Sequence, residues 1–357
     1  MPTLIEKAGI WAKSSVLAKG KYDSPMSKQP VFDLHCDLLA YLAKEPGANV
    51  MKSEDIGVSL PRLQEGGVAA QVLAIYSPTS AGSTDFAQQQ VEHFLTLTNR
   101  NPQFRAIRAS RDLEPDDKVA VIASIENASG FCEEFGPLKP GLRLLSAMIS
   151  QVGPLAYISL THHYENRFGG GNYSDNVGLK ADGEALLDFL HGKRIPVDLS
   201  HASDALAHDI FSYIDKEALD IAVIASHSNF RPVCGHVRNL PDELAQEVLR
   251  RGGLIGINFL RAYIHDTEPN KLIDQVAYGW ALPGGHKGLA LGADFFSALS
   301  FPFPDRLPLF FPEHAHAGTY PALLKLWKSR IPTLSASDLA YENAAEFFRK
   351  LWDSRRD

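Results

Sequence analysis

The chain has 357 residues, 45% hydrophobic and 22% charged, with a formal charge of −7 at pH 7. This is the balance of a globular protein long enough for one large domain or two smaller ones, and the modest, unclustered negative charge excludes nucleic acid as the main partner. No stretch approaches the roughly eighteen consecutive apolar residues of a membrane span, and "MPTLIEKAGIWAKSSVLAKG" lacks the apolar core of a secretory signal, so no membrane contact and a cytoplasmic location are expected.

Residues 1–30 precede the first strand-like run and are expected to form a lead-in that wraps the rest. That run, "VFDLHCDLLAYL" at 31–42, spaces Asp33, His35 and Asp37 two apart. Side chains alternate faces along a strand, so these three are expected on one face, with Phe32, Leu34, Cys36 and Leu38 on the other. Buried ionisable groups need partners, and either a metal ion or a hydrogen-bond network supplies them. Cys36 then reads as a small packing residue, and three scattered cysteines make no disulfide framework.

Seven more runs with strand character follow: "VAAQVLAIYS" at 68, "VAVIASIEN" at 119, "AYISLTHH" at 156, "IPVDLSH" at 195, "IAVIASHS" at 221, "LIGINFL" at 254 and "GLALGADF" at 288. Most are continuously apolar, as parallel strands covered on both faces are. Between them lie helical patterns such as "DFAQQQVEHFLTLTNR", "ADGEALLDFLHGK", "SDALAHDIFSYI" and "PDELAQEVLRRG". The last two begin with Ser203 and Asp204, and with Pro241, Asp242 and Glu243, residue types that cap a helix or favour its dipole. Eight such alternations over about 260 residues predict an α/β fold, a (β/α)₈ TIM-type barrel. The rival, an open doubly wound sheet, lacks any G-x-G-x-x-G after a strand. Residues 301–357 are expected to add a loop and helices packed on the barrel, with 1–357 forming a single domain. The apolar "LPLFFPEH" at 307–314 either packs that last loop or offers a contact for a homo-oligomer.

Polar residues recur at one end of these units: His35 and Asp37, Glu126, His162, His201, His227 and Asp294. In a barrel these C-terminal strand ends converge on one face, where active sites are built. Each residue alone has an ordinary explanation. A histidine after a strand is usually a satisfied core or surface group, Glu126 could cap the next helix, and Asp294 could bond loop amides. Together, four imidazoles and three carboxylates without a thiol match a borderline metal, zinc before manganese or iron. Three adjacent carboxylates repel unless cations neutralise them. Two divalent ions do this best, with Glu126 able to bridge them and hold a hydroxide between them, His35 and Asp37 suited to one ion, and His201 and His227 to the other.

The stretches "DLHCD", "IEN", "SLTHH", "VDLSHAS", "ASHSNFRPVCGHVRNLPDE" and "LGADF" resemble those of the membrane (renal) dipeptidase family, binuclear zinc peptidases related to the amidohydrolase barrels. The likeness runs in order from about residue 31 to 296 and returns weakly near "ASDLAYENAAEFFRKLW". It implies a metal-dependent dipeptidase acting on small dipeptides, including ones with a C-terminal D-residue. It implies a first metal on His35 and Asp37, a bridging Glu126 and a second metal on His201 and His227. His162 then polarises the scissile carbonyl, Arg238 grips the substrate, and Asp294 serves as general base and acid. On its residues alone, Arg238 reads equally well as a surface arginine near Asp242.

The chain also departs from the family. Phe296-Ser297 stands where Asp-Gly is usual, Leu260 where a tyrosine is common, and His163 where Asn is usual, in a loop "HYENRFGGGNYSDN" to which three glycines are expected to add flexibility. These changes touch the pocket and keep two rivals open: an amidohydrolase of another small amide such as an N-acyl amino acid, and a non-catalytic, metal-stabilised barrel that binds a small molecule.

Overall fold

The computed structural model describes residues 28–299 and 301–353, so the expected lead-in lies almost wholly outside the described residues. Among the described residues there are nine strands: β1 (Val31–Asp33), β2 (Val68–Tyr76), β3 (Phe104–Ala106), β4 (Val119–Glu126), β5 (Leu155–Ser159), β6 (Val197–Asp198), β7 (Val223–Ile224), β8 (Ile255–Ile257) and β9 (Leu289–Leu291). They pair in parallel in the order β7-β6-β5-β4-β2-β1-β9-β8. A bridge between Ala225 and Ile255, with Ala225 N donating to Leu254 O at 2.8 Å, links β7 to β8 and closes the ring. Each of the eight predicted runs supplies one strand of this α/β barrel. β3 is the addition: it pairs with the first half of β4, at Val119–Val121, before β5 takes over from Ala123.

The apolar runs form strands because both faces are covered. Leu73, Ile75, Val121 and Ile125 join the shell between barrel and helices, while Phe32, Val72, Ile122 and Tyr157 belong to the second core cluster, which the C-terminal helix (Asn343–Asp353) joins through Phe348. The Phe348 ring stacks on Phe32 at 5.6 Å. The four predicted helices appear as Ser83–Arg100, Ala181–Leu190, Asp204–Lys216 and Asp242–Arg250. Ser203 caps the third of these, its hydroxyl accepting from Leu206 N at 3.0 Å. Within "LPLFFPEH", Leu309, Phe311 and His314 are buried and Phe310 meets Phe295 at 5.3 Å, while Leu307 is exposed. Among the described residues no helix is long and apolar enough to cross a membrane.

The expected common face of Asp33, His35 and Asp37 holds only in part. The β1 ladder ends at Asp33, whose Oδ2 accepts from Tyr320 on the outer helix Tyr320–Arg330, whereas His35 turns inward to Tyr157. Asp33 Oδ1 accepts from His35 N at 3.2 Å and Ala293 N at 3.1 Å, fastening the ends of β1 and β9 together.

Candidate metal centre

The residues singled out at the strand ends do meet. His35 and Asp37 follow β1, with Cys36 bridged to Phe295 between them, so the extended chain continues beside β9 as far as Asp37. Glu126 is the last residue of β4, and His162, His201, His227 and Asp294 each lie three residues past β5, β6, β7 and β9. Three of the five non-glycine residues with positive φ among the described residues lie here: Asn127 beside Glu126 (74°), His201 (74°) and Asp294 (64°). Such backbone is strained, and it bends the chain at the point where a side chain must aim into the barrel mouth.

Glu126 occupies the middle. Its Oε1 lies 2.8 Å from His201 Nε2 and 3.7 Å from His227 Nε2, while Oε2 lies 3.6 Å from His35 Nε2. The Nε2 atoms of His201 and His227 are 3.0 Å apart, and His35 Nε2 is 3.6 Å from Asp294 Oδ1. Ligand atoms fall into overlapping triads within 4.8 Å: His35–Asp37–Glu126, Glu126–His201–His227 and His35–His227–Asp294. Glu126 does not cap the following turn; Asn127 does that, accepting from Ser129 N.

A divalent cation fits this set on three counts. His35 Nε2, Asp37 Oδ1 and Glu126 Oε2 are buried with no hydrogen-bond partner, a costly state for polar atoms without a cation. Burial holds the imidazoles neutral: His35 is pushed down to about 3, and His162, His201 and His227 well below the ordinary value. Burial pushes Asp37 and Glu126 well up, helped by the Asp294 charge beside Asp37 and by Asp37 and Asp294 beside Glu126, a crowding of carboxylates that a positive ion relieves.

Hydroxyls fix which nitrogen faces the centre. His35 Nδ1 meets the Tyr157 hydroxyl at 2.6 Å, and that hydroxyl donates to Leu34 O at 3.0 Å. Ser226 repeats the pattern, donating to Asp198 Oδ2 at 2.8 Å and meeting His227 Nδ1 at 2.7 Å. Each hydroxyl has spent its one proton, so it accepts from Nδ1–H and leaves Nε2 bare for a metal. Asp198 ends β6 as Asp33 ends β1. Its Oδ1 accepts from Ser200 N and Ser226 N, tying two adjacent strand ends together.

Around this core, Asp294 Oδ2 accepts from Asn258 Nδ2 at 2.9 Å, rather than from loop amides. Burial pushes its carboxyl up to about 7, against the pull of Arg238 and Asn258. Arg238 is buried, not a surface partner of Asp242. Its Nη1 donates to Ser228 Oγ at 2.9 Å and its Nη2 to His227 O at 3.1 Å, while Nε has no partner. His162 sits against His201, ring centroids 4.3 Å apart. Tyr157, Asp198, Ser226 and Asn258 were not singled out in the sequence; their signal is a polar side chain inside an otherwise apolar strand run. The glycines of 169–171 correct an expectation. All three are buried, and a Cβ on Gly171 would lie 2.2 Å from His162 O, so they permit close packing instead of adding flexibility.

A sequence model of the membrane dipeptidase family, peptidase family M19, matches residues 21–311. Dipeptidase 3 of Rattus norvegicus is 27% identical over 243 residues, covering 63% of this chain and 46% of that protein, so the chain spans about half of that relative's length. Dipeptidase aclJ of Aspergillus oryzae is 26% identical over 313 residues, 79% of this chain and 71% of that one. A solved metallo peptidase of Rhodobacter sphaeroides, liganded with a phosphinate mimic of the dipeptide L-Ala-D-Ala, shares the fold with a TM-score of 0.75 at 20% identity, over 91% of this chain and 100% of that chain.

Proposed function

The chain belongs to the membrane dipeptidase family, peptidase family M19, and from that membership and its site we propose that it is a metal-dependent dipeptidase. It hydrolyses the peptide bond of small dipeptides, including ones with a C-terminal D-residue, and residues 1–357 act as one catalytic barrel. The observation that carries this is Glu126, whose two oxygens face separate groups of bare imidazole nitrogens, His35 on one side and His201 and His227 on the other.

His35 and Asp37 would hold one divalent ion and His201 and His227 a second, with Glu126 shared; zinc suits this donor set best. Such ions supply Lewis acidity and a water made nucleophilic at neutral pH. The chain's own groups do the rest. His162 donates to the scissile carbonyl oxygen as negative charge develops there. Asp294 takes a proton from the attacking water and returns it to the departing amine nitrogen, and a carboxyl near 7 can do both. Arg238, with Nε unspent and no carboxylate within ion-pair distance among the described residues, offers a guanidinium edge to the substrate's carboxylate.

A panel varying the free amine and the free carboxylate tests this. Hydrolysis of free dipeptides, lost when the amine is acylated, is expected. Rates that survive acylation would move the activity to other small amides, and binding without turnover of any member would leave a binding barrel.

A further inference from the structure

Between His162 and Arg238 the rim of the site is a continuous run of rings. His162 and His163 have centroids 4.0 Å apart, His163 stacks on Tyr173 at 5.0 Å, Tyr173 meets His236 at 6.4 Å, and His236 meets Tyr263 at 4.8 Å. Arg238 closes the run, its guanidinium carbon 5.7 Å from the centre of the Tyr263 ring. The rings come from three loops, those after β5, β7 and β8.

The loop after β5 is held in place by its own backbone. Tyr173 N donates to His163 O at 2.8 Å, Asn172 N to His201 O at 2.8 Å, and Asn172 Oδ1 meets His163 Nδ1 at 3.1 Å. The approach of Gly171 to the His162 carbonyl leaves no room for a Cβ, so Tyr173 is presented on a fixed support. Yet Tyr173 is 40% exposed, a large ring half in water beside a buried centre.

In a dipeptide, the C-terminal residue is what separates the scissile carbonyl from the terminal carboxylate. The groups assigned to those two ends, His162 and Arg238, are the two ends of the ring run. The side chain of the C-terminal residue therefore has this wall beside it.

We propose that His163, Tyr173 and His236 determine specificity by forming the wall against which the dipeptide's C-terminal side chain packs, favouring large apolar and aromatic residues. This rests on the dipeptidase reading. Ring faces gain from covering by another ring or a large aliphatic group, and a glycine or alanine substrate leaves them wet.

The test is kcat/KM for two series, alanine followed by Gly, Ala, Leu or Phe, and the same residues followed by alanine, on wild type, Tyr173→Ala and Tyr173→Phe. Wild type should prefer C-terminal Phe over Gly by tenfold or more. Tyr173→Ala should cut that ratio about tenfold, through KM, and leave the N-terminal Phe-to-Gly ratio where it was, while Tyr173→Phe keeps both. A C-terminal ratio unmoved by Tyr173→Ala, or both ratios moved alike, overturns the proposal. If no dipeptide is cleaved, the dipeptidase reading fails on its own. Calorimetric binding of phenylalanine against alanine then still decides: about tenfold tighter phenylalanine, lost in Tyr173→Ala, supports the wall, and equal affinities overturn it.

Discussion

His35 Nδ1 lies 2.6 Å from the Tyr157 hydroxyl, which accepts its proton and so turns the bare Nε2 of His35 toward Glu126. Partners of this kind orient metal ligands, and their removal typically costs about ten- to a hundredfold in metal affinity. Tyr157→Phe should weaken metal binding by that amount, measured by competition with a chromophoric chelator. Ser226→Ala should do the same for the ion on the His227 side. Unchanged affinity in both variants would mean that the imidazoles are oriented by packing alone.

Asp294 Oδ1 approaches His35 Nε2 at 3.6 Å, and its Oδ2 is held by Asn258. Asp294→Asn keeps the shape and removes the proton carrier. Dipeptide turnover should fall by about a hundredfold or more, with metal content, measured on the same sample by atomic emission, unchanged. Loss of metal along with activity would instead make Asp294 a ligand.

The unpartnered buried atoms of His35, Asp37 and Glu126 make the fold sensitive to its ions. A ligand that binds only the folded state at a hundred times its dissociation constant stabilises by about 2.7 kcal/mol. Chelation should lower the melting temperature by several degrees, and added zinc should restore it. A melting curve indifferent to chelator would contradict a metal-supported site.

His314 supplies a pH dependence away from the centre. Its ring lies between Phe259 at 5.7 Å and Phe311 at 5.5 Å, and burial pushes it down to about 4. The unfolded ring titrates near 6.5, so between about pH 4 and 6.5 the unfolded chain binds more protons. The contribution of this ring to stability is thus complete above about 6.5 and lost as pH falls toward 4. His314→Phe should flatten that part of the stability profile, measured by urea unfolding across the window. Parallel profiles for wild type and variant would show that His314 does not carry it.

Eight barrel strands and the convergence of their ends were legible because a strand buried on both faces must be apolar throughout, so a charged or imidazole residue at its end stands out. β3 was not legible: Phe104–Ala106 has three residues, one of them Arg105, and no apolar run. Asp33 was misplaced because alternation assumes a regular strand, and the β1 ladder stops at Asp33 itself. Tyr157, Asp198, Ser226 and Asn258 stayed hidden because their partners come from other strand ends 28 to 123 residues away. Arg238 could be told from a surface arginine only by its burial, a property of the folded chain.

The central claim is tested most directly by measuring metal content and hydrolysis of a mixed L,L and L,D dipeptide library on one purified sample, before and after chelation. About two divalent ions per chain, with dipeptide cleavage that disappears on chelation and returns with metal, is the predicted result. Dipeptide cleavage that persists in the stripped protein, or full metal occupancy with no dipeptide cleaved, would contradict it.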